Sequence, residues 1–363
     1  MNILHTETLK GWGGQQGKVL KELLAAKNIG ETPYLICNPG SEIGKRAREH
    51  GIATTEIPIN KKNFHRTVPF LLRFIKEQRI DVVISHGSTD SWVVALAGLF
   101  SDVKTVRERH NEFPINGFLS RLLHRKLFDR LLVVSDNVRD YLISIGVAEE
   151  KILGMPSSVD VGKFQNVTSR FREEWEIPQD APVVGLFSSA LRKEKGVFDF
   201  LAMIERVAPR RPLAYFILAG RYSETLRDRF AEKLREAGIA ENRVIWTGFR
   251  SDIPNILHAF DIAVYPSHSE GMPNALLEQM ACHLPAVVFD IPPMNVLVEE
   301  GETGFTVPFG DDEALAAKVL HLIDDASLRE RMGEKAYRKV REHHDISSLD
   351  RRFRDLFDGL VHG

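Results

Sequence analysis

The feature that most constrains the fold of this chain is a regular alternation between short apolar runs and amphipathic helical segments. Runs such as Asp81–Ser85, Val183–Phe187 and Ile262–Tyr265 predict buried strands, because a short continuous apolar stretch is typical of a strand covered on both faces. Helical patterns fill the intervals between them. Strands that alternate with helices predict parallel sheets with helices on both faces, so the expected class is doubly wound α/β.

The apolar runs fall into two sets. The first comprises Met1–His5, Pro33–Cys37, a run near Ala53, Asp81–Ser85, Lys104–Arg107 and, as the expected last strand, Arg130–Val134. The second comprises Val183–Phe187, Ala214–Ala219, Arg243–Thr247, Ile262–Tyr265 and, as its expected end, Ala286–Phe289. The polar stretch Asp160–Pro182 between them predicts a linker. We therefore expect two Rossmann-like domains, residues 1–165 and 166–344, facing each other across a cleft, with ligands at the carboxyl ends of the strands.

Length and composition narrow the function classes. The chain has 363 residues, which suits two domains, and no apolar run is long enough for a transmembrane helix. A net charge of −2 argues against a nucleic-acid binder, although residues 1–165 carry +5 and the remainder −7. Two cysteines form neither a disulfide framework nor a metal quartet. The first residues lack a signal-peptide pattern, so a cytoplasmic location is expected.

Two glutamates, Glu270 and Glu278, frame the most informative segment. The strand Ile262–Tyr265 precedes them, and Gly271 and Pro273 open a helical pattern. A helix N-terminus binds phosphate groups, so carboxylates on either side of it suit a ligand with hydroxyls at both ends and phosphates between, such as a nucleotide sugar. The alternative is that Glu278 only compensates the helix dipole and that Glu270 is a solvated loop residue.

Two loops in this pattern could face phosphates. The glycine turn Gly11–Gly14 lacks the third glycine of the dinucleotide fingerprint, and Asn38 replaces the acidic residue that would bind an NAD ribose, so a tight turn is the alternative. Arg192 and Lys195 follow the strand Val183–Phe187. They form either a solvated charged face or a pair of cations that clamps a diphosphate.

Histidines stand at two strand ends of the first half. His110 follows the strand that begins at Lys104, at the end where ligands bind. His86–Asp90 follows the preceding strand. Capping of the next helix by Ser88 or Asp90 is one interpretation of this cluster. Binding of an acceptor, or proton transfer from its hydroxyl, is the other.

The segment 61–79 mixes basic residues with Phe64, Phe70, Leu71, Leu72 and Phe74. It predicts an amphipathic helix that packs on the core and carries a basic outer face. The alternative is a peripheral contact between this segment and a membrane surface rich in anionic lipid.

Taken together, these motifs resemble the retaining glycosyltransferases of the GT-B fold, family 4 type. The resemblance rests on GWGGQQ, RERH, the segment from VSDNVRDYL to SSVD, RKEKG and the stretch from Glu270 to GETGF, and it covers nearly the whole chain. His283 stands where the family usually has glycine. Pro292, Pro293 and Val296 replace a later Gly-Gly and glutamate of the family.

The resemblance implies roles for individual residues. Glu278 would hold the ribose hydroxyls, whereas Glu270 and His110 would contact the donor sugar. Arg250 would lie in a loop on the nucleobase side, and Asp90 remains a candidate for proton transfer. The groups expected near the donor diphosphate are Gly13, Gly14, Arg192, Lys195 and the helix start at Gly271, Met272, Pro273 and Asn274.

The implied function is retaining transfer of a sugar from a nucleotide diphosphosugar to a glycan or lipid-linked glycan, as in lipopolysaccharide or surface polysaccharide synthesis. A UDP-sugar is the expected donor, and neither a cofactor nor a metal is expected, since no Asp-x-Asp motif lies at a suitable strand end. GT-B proteins also imply that the helix within residues 345–363 returns to the first domain. Two alternatives stay open: a catalytically silent nucleotide-sugar-binding protein, and an NAD-dependent dehydrogenase.

Overall fold

The computed structural model describes residues 1–111 and 113–361. It divides into two compact units. Unit 1 contains Met1–Ser158 together with the segment from Ile346 onward, and unit 2 contains Val159–Asp345. Each unit is built on one parallel sheet.

The sheet of unit 1 has seven strands in the order β3-β2-β1-β4-β5-β6-β7. These strands are β1 (Asn2–Glu7), β2 (Thr32–Cys37), β3 (Ala53–Glu56), β4 (Val82–Ser85), β5 (Lys104–Arg109), β6 (Arg130–Val133) and β7 (Ile152–Gly154). The α-helices of the unit are α1 (Gly14–Asn28), α2 (Glu42–Glu49), α3 (Phe64–Gln78), α4 (Ser88–Gly98), α5 (Phe118–Leu122), α6 (Asp136–Ser144) and α15 (Ser347–Val361).

The sheet of unit 2 has six strands in the order β10-β9-β8-β11-β12-β13. These strands are β8 (Val183–Ala190), β9 (Tyr215–Arg221), β10 (Val244–Gly248), β11 (Ile262–Tyr265), β12 (Ala286–Phe289) and β13 (Gly304–Val307). Its α-helices are α7 (Phe171–Glu174), α8 (Val197–Val207), α9 (Glu224–Glu236), α10 (Ile253–Leu257), α11 (Asn274–Ala281), α12 (Met294–Leu297), α13 (Asp312–Asp324) and α14 (Ala326–His343).

The strand orders locate the place in each unit where a ligand is expected. In unit 1 the chain order reverses between β1 and β4, and in unit 2 it reverses between β8 and β11. Connections leave such neighbouring strands in opposite directions, so a crevice opens outside their carboxyl ends. The doubly wound class that the sequence predicts is confirmed, and the strands that flank each reversal were all anticipated.

Two strands were not anticipated. β7 lies at one edge of the first sheet, so Arg130–Val134 is not the last strand of its unit, and β13 follows Ala286–Phe289 at an edge of the second. Both are short: β7 has three residues, and β13 has four, of which Thr306 is polar. β13 depends on Gly304, since a Cβ there would lie 2.0 Å from the carbonyl oxygen of Ala286 on β12.

The predicted linker at 160–182 is wrong. The side chains of Val161, Phe164, Phe171 and Ile177 are buried in the core of unit 2, and α7 lies within this segment. The chain passes between the units at Ser158–Val159, rather than after residue 165. Because polar residues surround these few large apolar side chains, the sequence pattern did not indicate that the segment packs on the core of unit 2.

The last helix, α15, belongs to unit 1. Leu349, Phe353, Leu356 and Phe357 are buried in one cluster with Ile3 and other strand residues of that unit. These four residues recur at the spacing of one helical face, so burial of that face accounts for the helix. Within the described residues, none of the helices combines the length and apolarity that a membrane crossing requires.

Candidate functional site

The reversal point of unit 2 brings Lys195 and Glu270 together. Lys195 lies in the loop after β8, and Glu270 lies between β11 and α11. The Lys195 ammonium donates to Glu270 Oε1 at 2.5 Å, and the Ser267 hydroxyl donates to the same oxygen at 2.7 Å. Glu270 is 9% exposed. A nearly buried carboxylate, oriented by one cation and one hydroxyl, therefore lies in the segment that leads into α11.

Backbone contacts hold these two loops against each other. The N–H of His268 donates to the carbonyl of Glu194 at 2.9 Å, and the Ser267 hydroxyl reaches the same carbonyl at 3.2 Å. Gly196 has a φ of +70°, and a Cβ there would lie 1.8 Å from the carbonyl oxygen of Pro266. Only glycine permits this approach, which keeps Lys195 beside Glu270.

The helix α11 begins at Asn274, within the predicted helix start Gly271–Asn274. Pro273 precedes the first residue of α11, Asn274, and the half-buried Met272 packs on the core of unit 2. Glu278 is half-buried one turn further along α11. Beneath the site, burial and the Glu270 carboxylate raise the pKa of the Tyr265 hydroxyl well above its ordinary value, which keeps the phenol neutral.

The two arginines predicted near a ligand have different surroundings. Arg192 is exposed at the start of the turn that carries Lys195, so its guanidinium can reach an anion at this loop. Arg250 instead donates to both carboxylate oxygens of Glu174 and of Asp252, at 2.5–3.1 Å. Hydrogen bonds to these carboxylates raise the pKa of Arg250 and, in return, lower that of Asp252. This pairing gives Arg250 a structural role in joining α7 to the loop after β10.

In unit 1 the glycine turn follows β1. Gly13 caps α1 and Gly14 begins it, so the N-terminal N–H groups of this long helix stand at the carboxyl end of β1. Glu7 holds the turn in place. Its carboxylate accepts from the N–H of Leu9 at 2.8 Å and from the amides of Gln15 at 2.7 Å and Gln16 at 3.2 Å.

Asp90 caps α4. Its Oδ2 accepts from the N–H groups of His86 at 3.0 Å and Gly87 at 3.1 Å and from the Thr6 hydroxyl at 2.8 Å, and the side chain is fully buried. These contacts support the capping interpretation, since that oxygen is already engaged by three donors. The role in proton transfer stays a prediction.

A buried polar cluster lies beside the reversal point of unit 1. His5 Nδ1 lies 2.9 Å from His86 Nε2, and His86 Nδ1 lies 3.0 Å from His110 Nε2. The Glu108 carboxylate adjoins the middle ring, with Oε2 3.1 Å from His86 Nδ1. The Lys18 ammonium contacts Glu108 from α1. His110, the predicted site residue, is therefore the outer end of a chain of three histidines.

The charges in this cluster are set by burial and by mutual contact. Burial opposes ionisation of Glu108, but Lys18 and the histidines outweigh it and hold the pKa of Glu108 well below its ordinary value. Burial and the Glu108 carboxylate raise the pKa of Glu22, which also contacts Lys18, to about 8. Burial lowers the pKa of His110. Lys18 and Glu108 thus form the ionised pair, and His110 is neutral.

Sequence reasoning missed His5, Lys18, Glu22 and Glu108. A signal was present for Lys18 and Glu22, which are separated by one helical turn and share the face of α1 that also carries buried Val19 and Leu23. Charged residues on an apolar helix face are seldom buried unless they are paired.

The cluster also has donor sets suited to a metal ion. His5, Glu22 and His86, and likewise His86, Glu108 and His110, place ligand atoms within 4.8 Å of one another. The Lys18 ammonium contacts both glutamates, so it already supplies a cation at this position. A metal ion would have to displace that ammonium from two buried carboxylates, and we assign none.

Comparison with protein families places both units in known groups. Residues 167–339 match the family described as "Glycosyl transferases group 1", and residues 25–163 match "Glycosyltransferase Family 4". The UDP-Gal:alpha-D-GlcNAc-diphosphoundecaprenol alpha-1,3-galactosyltransferase of Escherichia coli is 24% identical over 322 residues, which cover 80% of this chain and 78% of that protein.

Solved structures share the fold over nearly the whole chain. A glycosyltransferase from Rickettsia africae superimposes with a TM-score of 0.90 at 20% identity, covering 99% of this chain and 98% of that one. Anabaena HepE in complex with UDP superimposes with a TM-score of 0.88 at 19% identity, covering 99% of this chain and 100% of that one. None of these matches supports the dehydrogenase or silent-protein alternatives.

Proposed function

Because the chain belongs to the GT-B glycosyltransferases of the family 4 type, we propose that it transfers a sugar from a nucleotide diphosphosugar with retention of anomeric configuration. A UDP-sugar is the proposed donor, as HepE was solved with UDP. The proposed acceptor is a glycan or lipid-linked glycan of lipopolysaccharide or another surface polysaccharide. The diphosphoundecaprenol in the name of the E. coli relative supports a lipid-linked acceptor.

The pairing of Lys195 with Glu270 before the N-terminus of α11 is the observation that carries this proposal. The ammonium and the positive end of the helix suit the charge that develops on a departing diphosphate. One oxygen of Glu270 is held by Lys195 and Ser267. Its carboxylate is thereby oriented to accept hydrogen bonds from sugar hydroxyls, and Glu278, further along α11, would accept from the ribose diol.

Retention needs the acceptor hydroxyl to attack the face from which the diphosphate leaves. We name no side chain as a covalent nucleophile. We propose front-face displacement within a short-lived ion pair, which the cations Lys195 and Arg192 and the start of α11 would stabilise on the diphosphate side.

Binding of nucleoside diphosphates tests this function. We expect UDP to raise the thermal unfolding midpoint more than GDP or ADP, since a ligand at 100 times its dissociation constant stabilises by about 2.7 kcal/mol. Release of UDP from UDP-sugars in the presence of acceptor extracts would then separate an enzyme from a silent binding protein. A protein that is stabilised by NADH and by none of the three diphosphates would contradict the proposal.

A peripheral membrane contact of unit 1 would suit a lipid-linked acceptor. In α3, Leu71 and Ile75 are buried against the unit, whereas Arg66, Arg73 and Lys76 are exposed on the outer face. The amphipathic helix predicted for 61–79 is therefore present, with its basic residues directed to solvent. We propose that this basic face contacts anionic lipid headgroups. The strongly exposed Phe113, Phe118 and Leu119 after β5 offer apolar surface in the same unit.

Vesicle co-sedimentation tests the membrane contact. We expect binding to vesicles with phosphatidylglycerol, little binding to neutral vesicles, and at least a tenfold loss for Arg66→Glu with Arg73→Glu, because each basic residue contributes about 1 kcal/mol near an anionic surface. Lys233→Glu with Arg235→Glu, on the exposed face of α9, makes the same charge change in unit 2 as a control. An equal loss in the control pair would show that overall charge, and not this helix, governs binding.

A further inference from the structure

The protons in the three-histidine chain can be placed from the groups that surround it. Lys18, whose ammonium only donates, contacts Glu108 Oε1, and this contact keeps the carboxylate ionised. An ionised carboxylate only accepts hydrogen bonds. Glu108 Oε2 lies 3.1 Å from His86 Nδ1 without meeting hydrogen-bond geometry. A lone pair on Nδ1 would face that charged oxygen at this distance and be repelled, so the proton belongs to His86 Nδ1. This holds whether the His86 ring is neutral or charged.

The same nitrogen determines the state of His110. His86 Nδ1 lies 3.0 Å from His110 Nε2, so a proton on each nitrogen would set two N–H groups against one another. His110 Nε2 therefore presents a lone pair, and a neutral His110 carries its proton on Nδ1. The ring of His86 is inclined by 30° to that of His110, with centroids 5.2 Å apart.

The inner end of the chain agrees with this arrangement. His5 Nδ1 can donate to His86 Nε2 at 2.9 Å, which leaves His5 Nε2 as the lone pair. Within the described part of the chain, His5 Nε2 is buried without a hydrogen-bond partner. The reverse direction would make that atom an orphaned N–H, and a buried unpaired donor is the rarer and costlier case.

We infer that Glu108 and His86 are positioning residues that hold His110 in the tautomer with its proton on Nδ1, so that His110 offers an N–H to an oxygen at the end of β5. The tautomer stands on the contacts of unit 1 alone. That the oxygen is a hydroxyl of the donor sugar rests on the proposed function. His5 extends the chain inward and donates a hydrogen bond from its Nδ1 to His86 Nε2.

Nitrogen-15 NMR of histidine-labelled protein reads the tautomer directly. We expect the His110 signals, identified by their loss in His110→Asn, to show a protonated Nδ1 and an unprotonated Nε2 at neutral pH. A protonated Nε2 in the wild-type protein would overturn the inference, whatever the variants do.

Glu108→Gln tests the cause. Lys18 can only donate, so the amide oxygen of the glutamine must face it, and the amide NH2 then faces His86 Nδ1. His86 Nδ1 becomes an acceptor, and we expect the His110 proton to move to Nε2. Glu22→Gln is the matched control, because Glu22 also contacts Lys18 but its carboxylate lies 4.0 Å from His5 Nδ1, beyond hydrogen-bond distance. An unchanged tautomer in a folded Glu108→Gln protein, or a change in the control, would overturn the role of Glu108.

Two substitutions at His110 connect the tautomer to turnover. The asparagine amide nitrogen can replace Nδ1–H, whereas that of glutamine replaces Nε2–H, so we expect His110→Asn to keep a kcat about tenfold above that of His110→Gln, the equivalent of one hydrogen bond. Equal kcat values together with the expected NMR spectrum would overturn the sugar contact and leave the tautomer standing. A higher kcat for His110→Gln would overturn the inference that Nδ1–H is the functional group.

Discussion

Glu270→Gln is expected to lower kcat on the order of 100-fold while changing the affinity for UDP by less than about threefold. Glutamine has the same shape as glutamate but no charge. Its amide oxygen can still accept from Lys195 and Ser267, but its NH2 group replaces the second carboxylate oxygen and cannot accept from a sugar hydroxyl. The expected loss matches the removal of one preorganised electrostatic contact at a reacting centre. UDP lacks the donor sugar, so its affinity should report only contacts between the protein and the nucleotide.

Steady-state turnover and calorimetry with UDP on the same protein preparations measure the two effects. Glu194→Gln is the matched control, because the Glu194 side chain is exposed and it is the backbone carbonyl of Glu194 that accepts from Ser267 and His268. We expect the control to be close to wild type in both measurements. Losses of equal size in turnover and in UDP affinity would place Glu270 on the nucleotide, and not on the sugar.

Glu278→Ala is expected to weaken UDP binding by roughly 10- to 150-fold. This range corresponds to hydrogen bonds between a charged carboxylate and the ribose diol, which are worth about 1.5–3 kcal/mol. Glu278 is half-buried on α11, where a carboxylate that binds a diol is partly shielded from water. Shielding strengthens such a contact relative to one in bulk solvent.

The diol itself provides the control for this prediction. In calorimetry, the wild-type protein should bind 2′,3′-dideoxyuridine diphosphate, which lacks the diol, as weakly as the Glu278→Ala variant binds UDP. The variant should bind the two nucleotides equally, as expected when substitution and ligand change remove one interaction. If a folded Glu278→Ala protein binds UDP as tightly as wild type does, the ribose contact is wrong.

The class of fold and the central strands were predictable from sequence because they depend on local patterns. The predicted bounds Ile262–Tyr265 and Ala286–Phe289 agree with β11 and β12 residue for residue. A strand buried on both faces needs a continuous apolar run, and such a run is visible without any knowledge of its neighbours. β7 and β13 lie at sheet edges. β7 spans only three residues and β13 contains the polar Thr306, so only their pairing with β6 and β12 identifies them.

Local pattern also located the candidate site of unit 2. The distance along the chain between Glu270 and Glu278 is short, and both follow a recognisable strand end. Pattern could not decide between interpretations of a charged residue. The buried contacts of Asp90 and the ion pairs of Arg250 are made with groups remote in sequence, such as Thr6 and Glu174.

The chemistry around His110 is what only the tertiary structure decided. The sequence by itself determined that a histidine follows β5, at the end of the strand where ligands bind. Glu108 gains its charge from Lys18, which lies 90 residues earlier in the chain, and it determines the protons of His86 and His110 through contacts inside unit 1. Packing of α1 against the sheet removes these groups from water. In that environment the ionisation of each group depends on its contacts with residues from other segments, so it cannot be predicted from the sequence of one segment.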